Sequence, residues 1–351
     1  MNEKNGRLTG YYSTVPPIHD TVLRLAGLIE PLKVKEITLR NRIVLPPMQT
    51  GRATFEGAVT NKLINFYVRR SSALGLPIVE HAYVAPTGKI GPKQLGIHDD
   101  SLVEGLKKLA NGIHAVGAPA VVQISHAGGV TNKKVIGAEP AGPSAREKSR
   151  MLEISEMEVI VDNFAWATER AVKAGFDGVE LHGAHGYLLN QFFSPLFNKR
   201  GDEYGGSLEN RMRFPLLVVG KMRKHLSDKI LLYRLGSDDL APAGTHIEDS
   251  VEFAKKLEKA GVDIIDVSGG MCGSDPRQLR QVKGYFVPQA AKIKKAVKVP
   301  VIGVGGITQV KYADDLVREG KVDLVAVGRA FWRDYQWAEK AVETLRNAKS
   351  E

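Results

Sequence analysis

The stretch 181–187, Leu-His-Gly-Ala-His-Gly-Tyr, crowds two imidazoles and a phenol into seven residues broken by glycine. His182 and His185, three residues apart in a turn, can converge on one ligand oxygen or can chelate a metal. A metal site needs carboxylate or cysteine partners, and this loop offers none, so the oxygen-gripping reading is preferred. A second pattern comes late in the chain, where Gly305-Gly306 and Gly328-Arg329 each follow a short apolar run. Backbone N–H groups in such glycine turns, a helix N-terminus and a guanidinium together form a phosphate cradle.

These residues need a scaffold that brings distant loops to one place. Near-continuous apolar runs occur at 42–47, 77–84, 120–125, 178–182, 230–235, 262–268, 299–304 and 324–328. Such runs are expected of parallel strands covered on both faces. Amphipathic stretches separate them. Residues 102–116 carry an apolar stripe at helical spacing. Residues 157–174 follow Ser155-x-x-Glu158, read as a capping box. The stretches 157–174, 247–260 and 310–319 each stop at a glycine suited to a helix C-terminus. The αβ phrase recurs as AGFDGVELH, AGVDIIDVS and EGKVDLVAVG. Eight strands alternating with helices predict an α/β fold, a (β/α)8 TIM barrel. The weakly alternating segment 28–39 is read as an N-terminal hairpin capping the barrel floor. The expected division is an extension over 1–27, the barrel over 28–340 and a tail over 341–351.

In such barrels the active site lies at the C-terminal ends of the strands. Reading those ends in turn adds Pro47, Met48 and Gln49 after the first strand, His81 on the second and Gln123 on the third. The fifth carries Arg234. The 202–211 stretch beyond the His-Tyr loop is read as scaffold, with Ser207 or Asn210 near a helix start.

Composition narrows the partners. The chain has 351 residues, 43% hydrophobic and 25% charged, with a formal net charge of +10. Its basic residues are dispersed, which argues for a solvated surface and against a nucleic-acid face. The one cysteine, Cys272, cannot pair within the chain, in keeping with a reducing compartment. No stretch reaches the ~18 consecutive apolar residues of a membrane span, and the first residues lack a signal-peptide core. The expectation is a cytoplasmic enzyme, neither membrane-bound nor nucleic-acid-binding, assembled as a dimer or tetramer.

From about Leu28 to Trp337 the chain resembles the old yellow enzyme (NADH:flavin oxidoreductase) family. The resemblance rests on LRNRIVLPPM (39–48), AVVQISHAGG (120–129), LHGAHGYLLNQFFSPLFNKRGDEYGGSLENRMRF (181–214), PVIGVGGI (300–307) and LVAVGRAF (324–331). With no cysteine cluster after the barrel, the short single-barrel members fit best. The resemblance implies FMN as cofactor and NAD(P)H as reductant. Pro47, Met48 and Gln49 would lie against the flavin, His81 beside it, Gln123 on its pyrimidine edge and Arg234 near N1 and O2. Gly305, Gly306, Gly328 and Arg329 would hold the phosphate. It further implies ene-reduction, with hydride passing from NAD(P)H to flavin N5 and then to the β-carbon of an electron-poor alkene. His182 and His185 would grip the activating oxygen while Tyr187 donates the proton. A phenol, with a reference pKa of about 10, is protonated at neutral pH and can serve as that acid.

Several positions depart from the family pattern. Gln49 stands where Thr or Cys is frequent, and His81 where a small residue is usual. Thr50-Gly51-Arg52 replaces an aromatic, and Gly129 replaces an arginine. All touch the pocket, so they bear on substrate more than on fold. Arg52 is a candidate counter-charge for an acidic substrate. A dienoyl thioester or a specialised unsaturated acid is the alternative substrate on the same barrel. A flavin-dependent RNA-modifying barrel fits less well, because its acid is a cysteine and the position here is Tyr187.

Overall fold

The computed structural model describes residues 27–350; the expected extension falls, but for Gly27, outside them. Eight of the strands among the described residues form one sheet: β1 Ile43–Leu45, β2 Leu76–Tyr83, β3 Val121–Ser125, β4 Gly178–Gly183, β5 Ile230–Gly236, β6 Ile264–Ser268, β7 Val301–Gly303 and β8 Leu324–Ala326. Each pairs in parallel with its sequence neighbours, and β8 pairs with β1, closing the barrel. Every residue of β2, β4 and β5 is buried, as a sheet covered by helices outside and packed side chains inside requires.

Eight helices of eight residues or more alternate with the strands: α1 Asn61–Ser71, α2 Val103–Ala115, α3 Ile154–Lys173, α4 Leu208–His225, α5 Ile247–Lys259, α6 Val287–Lys294, α7 Val310–Arg318 and α8 Trp337–Ser350. The expected capping box is displaced. The N-cap of helix α3 is Glu153, two residues before Ser155, and the Glu156 carboxylate accepts from Glu153 N–H at 3.0 Å. Arg150 pairs with both oxygens of Glu156 at 2.7 and 2.6 Å and holds it there. Ser207 caps α4, accepting from Asn210 N–H at 3.2 Å. Arg211 donates to Phe193 O at 2.9 Å and to Gly206 O at 2.5 Å, contacts that tie the 202–211 stretch to the fold.

A two-stranded antiparallel hairpin, Leu32–Val34 with Ile37–Leu39, precedes the barrel. Its Val34 and Leu39 pack with the inward residues Val44, Ile78, Val121, Leu232 and Ile302 of the lower barrel. Each such fully buried side chain contributes roughly 1.5–3 kcal/mol. The hairpin closes the floor and leaves the opposite, C-terminal end of the strands open for chemistry.

Candidate active site

Strand β4 delivers His182 to the mouth, in register with Arg234 on β5. The chain then turns sharply. His185 adopts φ +58° and Gly186 φ +75°; a non-glycine residue there carries strain of order 1 kcal/mol. Neighbouring side chains hold the turn. Asn190 Oδ1 accepts from Gly186 N–H at 2.8 Å. Gln191 donates to Gly186 O at 2.7 Å and to Ala127 O at 2.9 Å, and accepts from Gly129 N–H at 3.0 Å. Both amides are fully buried, so leaving their partners unpaired would be costly.

Four rings gather above the turn. His182 lies 5.0 Å from His185 and 4.7 Å from Tyr187, centroid to centroid, both edge-on. His81 stacks on Tyr187 at 5.4 Å and meets His182 edge-on at 5.8 Å. His182 Nδ1 accepts from Ala184 N–H at 3.3 Å, which puts its ring hydrogen on Nε2. His185 Nε2 lies 2.8 Å from Ser268 Oγ, leaving Nδ1 for a ligand. Burial pushes both imidazoles well below their ordinary range; for His182 the neighbouring His185 adds to this, and for His185 the charge of Arg234 does. Both are neutral donors at pH 7. Burial raises the Tyr187 phenol, so it keeps its proton.

Beside the rings lies a set of buried polar groups. Gln123 Nε2 donates to Glu180 Oε1 at 2.8 Å. Arg234 Nη1 meets Asp266 Oδ2 at 3.3 Å. Burial raises both carboxyls, and the negative Asp266 raises Glu180 further, while Arg234 pulls Asp266 down. Glu180 is therefore the protonated member and Asp266 the anion. Arg234 Nε is buried without a hydrogen-bond partner among the described residues. An unpartnered guanidinium N–H and a fixed carboxamide at the barrel mouth suit a heterocycle with acceptor oxygens and nitrogens.

The glycine loops suit a phosphate. Gly305 and Gly306 have φ of +120° and +62°, and a Cβ on Gly305 would fall 2.7 Å from the Tyr285 ring. Gly328 begins the short helix Arg329–Arg333 and faces Met48, whose Sδ would lie 3.4 Å from a Cβ there. Arg329 pairs with Asp275 at 2.9 Å and reaches Tyr285 Oη at 3.3 Å. Pro47 and Met48 are half-buried at the end of β1, whereas Gln49 is exposed and its amide approaches Gly91. Arg52 is not with the ring cluster. Its guanidinium lies over Phe66 at 4.9 Å and Trp332 at 5.7 Å. Cys272 is half-buried and its thiol, raised to about 11 by burial, donates to Asp238 O at 3.2 Å.

Sequence reasoning missed Glu180, Asp266, Ser268, Gln94 and Ser125. Glu180 and Asp266 are charged residues inside otherwise apolar strands, and that mismatch was the available signal. Gln94 and Ser125 reach His81 only through space.

A model of the NADH:flavin oxidoreductase / NADH oxidase family matches residues 27–348. The NADH oxidase of Thermoanaerobacter brockii is 41% identical over 90% of this chain and 50% of its own length. The NADH:acrylate oxidoreductase of Vibrio harveyi is 37% identical over 87% of this chain and 32% of its own length. The NADPH dehydrogenase of a Geobacillus strain is 38% identical over 91% and 94%. The chain thus spans half or less of the first two relatives. Among solved structures, a 2-naphthoyl-CoA reductase complex superimposes with a TM-score of 0.86 at 28% identity, covering 91% of this chain and 52% of that one. An old yellow enzyme homologue from Zymomonas mobilis gives 0.80 at 26%, covering 91% and 93%.

Proposed function

Because this chain belongs to the NADH:flavin oxidoreductase / NADH oxidase family, whose cofactor is FMN and whose relatives here use NADH or NADPH, we propose that it is an ene-reductase. FMN, when bound, supplies the hydride chemistry between NAD(P)H and the β-carbon of an activated alkene. The residues suited to hold it are Pro47, Met48, Gln49, Gln123 and Arg234 at the ring, with Gly305, Gly306, Gly328 and Arg329 at the phosphate.

The observation that carries the reading is the pair of imidazole nitrogens left over by their fixing contacts. His182 presents Nε2–H. His185 presents Nδ1, which bears the hydrogen when the Ser268 hydroxyl donates to Nε2. Two neutral donors can share one carbonyl oxygen and stabilise the charge that develops there as the alkene is reduced, at about 3–4 kcal/mol each. Their burial keeps them neutral, so they donate without transferring a proton. Tyr187, kept protonated beside them, is placed to deliver the proton to the α-carbon.

The test is anaerobic. The FMN-loaded protein is reduced with NADH or NADPH, then reoxidised with a panel of enones, nitroalkenes, unsaturated acids and thioesters. Stoichiometric reoxidation with formation of the saturated product supports the reading. Reduction by the nicotinamide without reoxidation by any alkene would overturn it.

A further inference from the structure

The ring cluster contains an imidazole to which the reaction above gives no task. His81 sits on β2 where the register with β3 slips between Val79 and Ala82, an irregularity of the kind that re-aims a side chain. The ring is buried, stacked on Tyr187 and edge-on to His182. Its Nδ1 lies 3.0 Å from Ser125 Oγ and 3.0 Å from Gln94 Nε2. The orientation of the Gln94 amide is set by two other bonds. Oε1 accepts from Ile90 N–H at 2.8 Å, and Nε2 donates to His81 O at 3.1 Å. The second hydrogen of Nε2 therefore faces Nδ1, which must be an unprotonated acceptor. The ring is neutral and its hydrogen is on Nε2. None of the hydrogen bonds among the described residues uses that group. Burial and the charge of Arg234, which pull this imidazole down to about 4, agree.

We propose that His81 is a specificity-determining residue whose Nε2–H is a third donor beside those of His182 and His185, fitting the site to alkenes activated by a planar two-oxygen group, a carboxylate or a nitro group. The proposal rests on the ene-reductase reading and names the substrate class for it. A single carbonyl oxygen offers two lone pairs, and two imidazoles already meet them. A third donor beside them would find no acceptor left on that oxygen, and unpaired polar groups are how sites reject near-relatives of their substrates. A carboxylate or nitro group offers about four acceptor positions in one plane and can occupy all three donors.

The experiment titrates oxidised, FMN-loaded protein with benzoate, nitrobenzene and benzaldehyde, following the flavin absorbance, so no turnover is needed. The readout is the ratio of Kd for benzaldehyde to Kd for each two-oxygen probe. His81→Ala should lower both ratios about tenfold, the scale of one hydrogen bond. His81→Gln, which keeps a donor, should restore part of the loss. Gln94→Leu, which removes the contact fixing the tautomer, should shift the ratios in the same direction and change the His81 signals in a 15N spectrum. A fall for benzoate alone assigns the site to acids, and a fall for nitrobenzene alone to nitroalkenes. Ratios unchanged within about threefold in soluble His81→Ala or, if that variant does not fold, in His81→Gln and Gln94→Leu, would overturn the proposal. Unchanged ratios in a protein that still reduces enones would leave the ene-reductase reading standing. Shifted ratios in a protein that reduces no alkene would sink that reading while keeping His81 as a binding donor.

Discussion

Arg234 Nη1 lies 3.3 Å from Asp266 Oδ2 with both side chains sealed inside the barrel, and the register that pairs them is the β5–β6 ladder itself. Asp266 is thus the counter-ion of the guanidinium, while Glu180 beside it holds a proton. The two carboxyls should respond differently to neutral isosteres. Asp266→Asn leaves Arg234 as an uncompensated buried charge and should cost about 3–5 kcal/mol of unfolding free energy. Glu180→Gln replaces one neutral group by another and should cost less than about 1.5 kcal/mol. Urea denaturation at pH 7 measures both, and the reverse ranking would refute the assignment of charge.

Among the described residues, the Ser268 hydroxyl hydrogen-bonds His185 Nε2 alone, at 2.8 Å. Ser268→Ala frees the ring to take either tautomer and should slow reoxidation by an enone about tenfold, the value of one orienting hydrogen bond. Reduction by NAD(P)H should be little changed. Stopped-flow traces of the two half-reactions separate these effects, and an equal loss in both would show that the serine supports the site as a whole.

Acidification should unfold this protein early. His81 and His126 are held near 4 by burial, Arg234 adding to this for His81, against an ordinary 6.5. Between those values the unfolded chain binds protons that the native state refuses. Stability is therefore lost as pH falls from 6.5 toward 4, by up to about 3 kcal/mol for each imidazole. His182 and His185 act in the same direction. Glu80 opposes them. Burial raises it to about 7, so its contribution is present below about 4.5 and fades as pH rises through 7. The net expectation is stability that climbs with pH from 4 to 6.5, and climbs more steeply in Glu80→Gln. Denaturant midpoints across that window check the sign, and a falling curve would contradict it.

The barrel was legible because parallel strands covered on both faces leave unbroken apolar runs, and each expected run contains its observed strand or misses it by a residue at one end. The hairpin was legible from the alternation that places Val34 and Leu39 inward. Helix α4 was less so, because Pro215 stands inside it and a proline argues against helix when read locally. The displaced cap of α3 has a similar origin. Ser155 and Glu158 have the right spacing, but Arg150 clamps Glu156 through a contact outside any capping motif. At the site, the rule that strand ends carry chemistry located the residues of the ring cluster. It did not show that Gln94, a loop residue, sets the hydrogen on His81, nor that Asp266 neutralises Arg234. Those relations join residues 13 and 32 positions apart and leave no local periodicity.

The most direct measurement of the central claim separates the two half-reactions in Tyr187→Phe. In the FMN-loaded variant, anaerobic reduction by NAD(P)H should proceed at nearly the rate of the unaltered protein. Reoxidation by an enone should slow by about 10²–10⁴, the range for losing a positioned general acid. If both half-reactions slow equally, or if reoxidation is unaffected, Tyr187 is not the proton donor and the arrangement of imidazoles and phenol has been assigned the wrong chemistry.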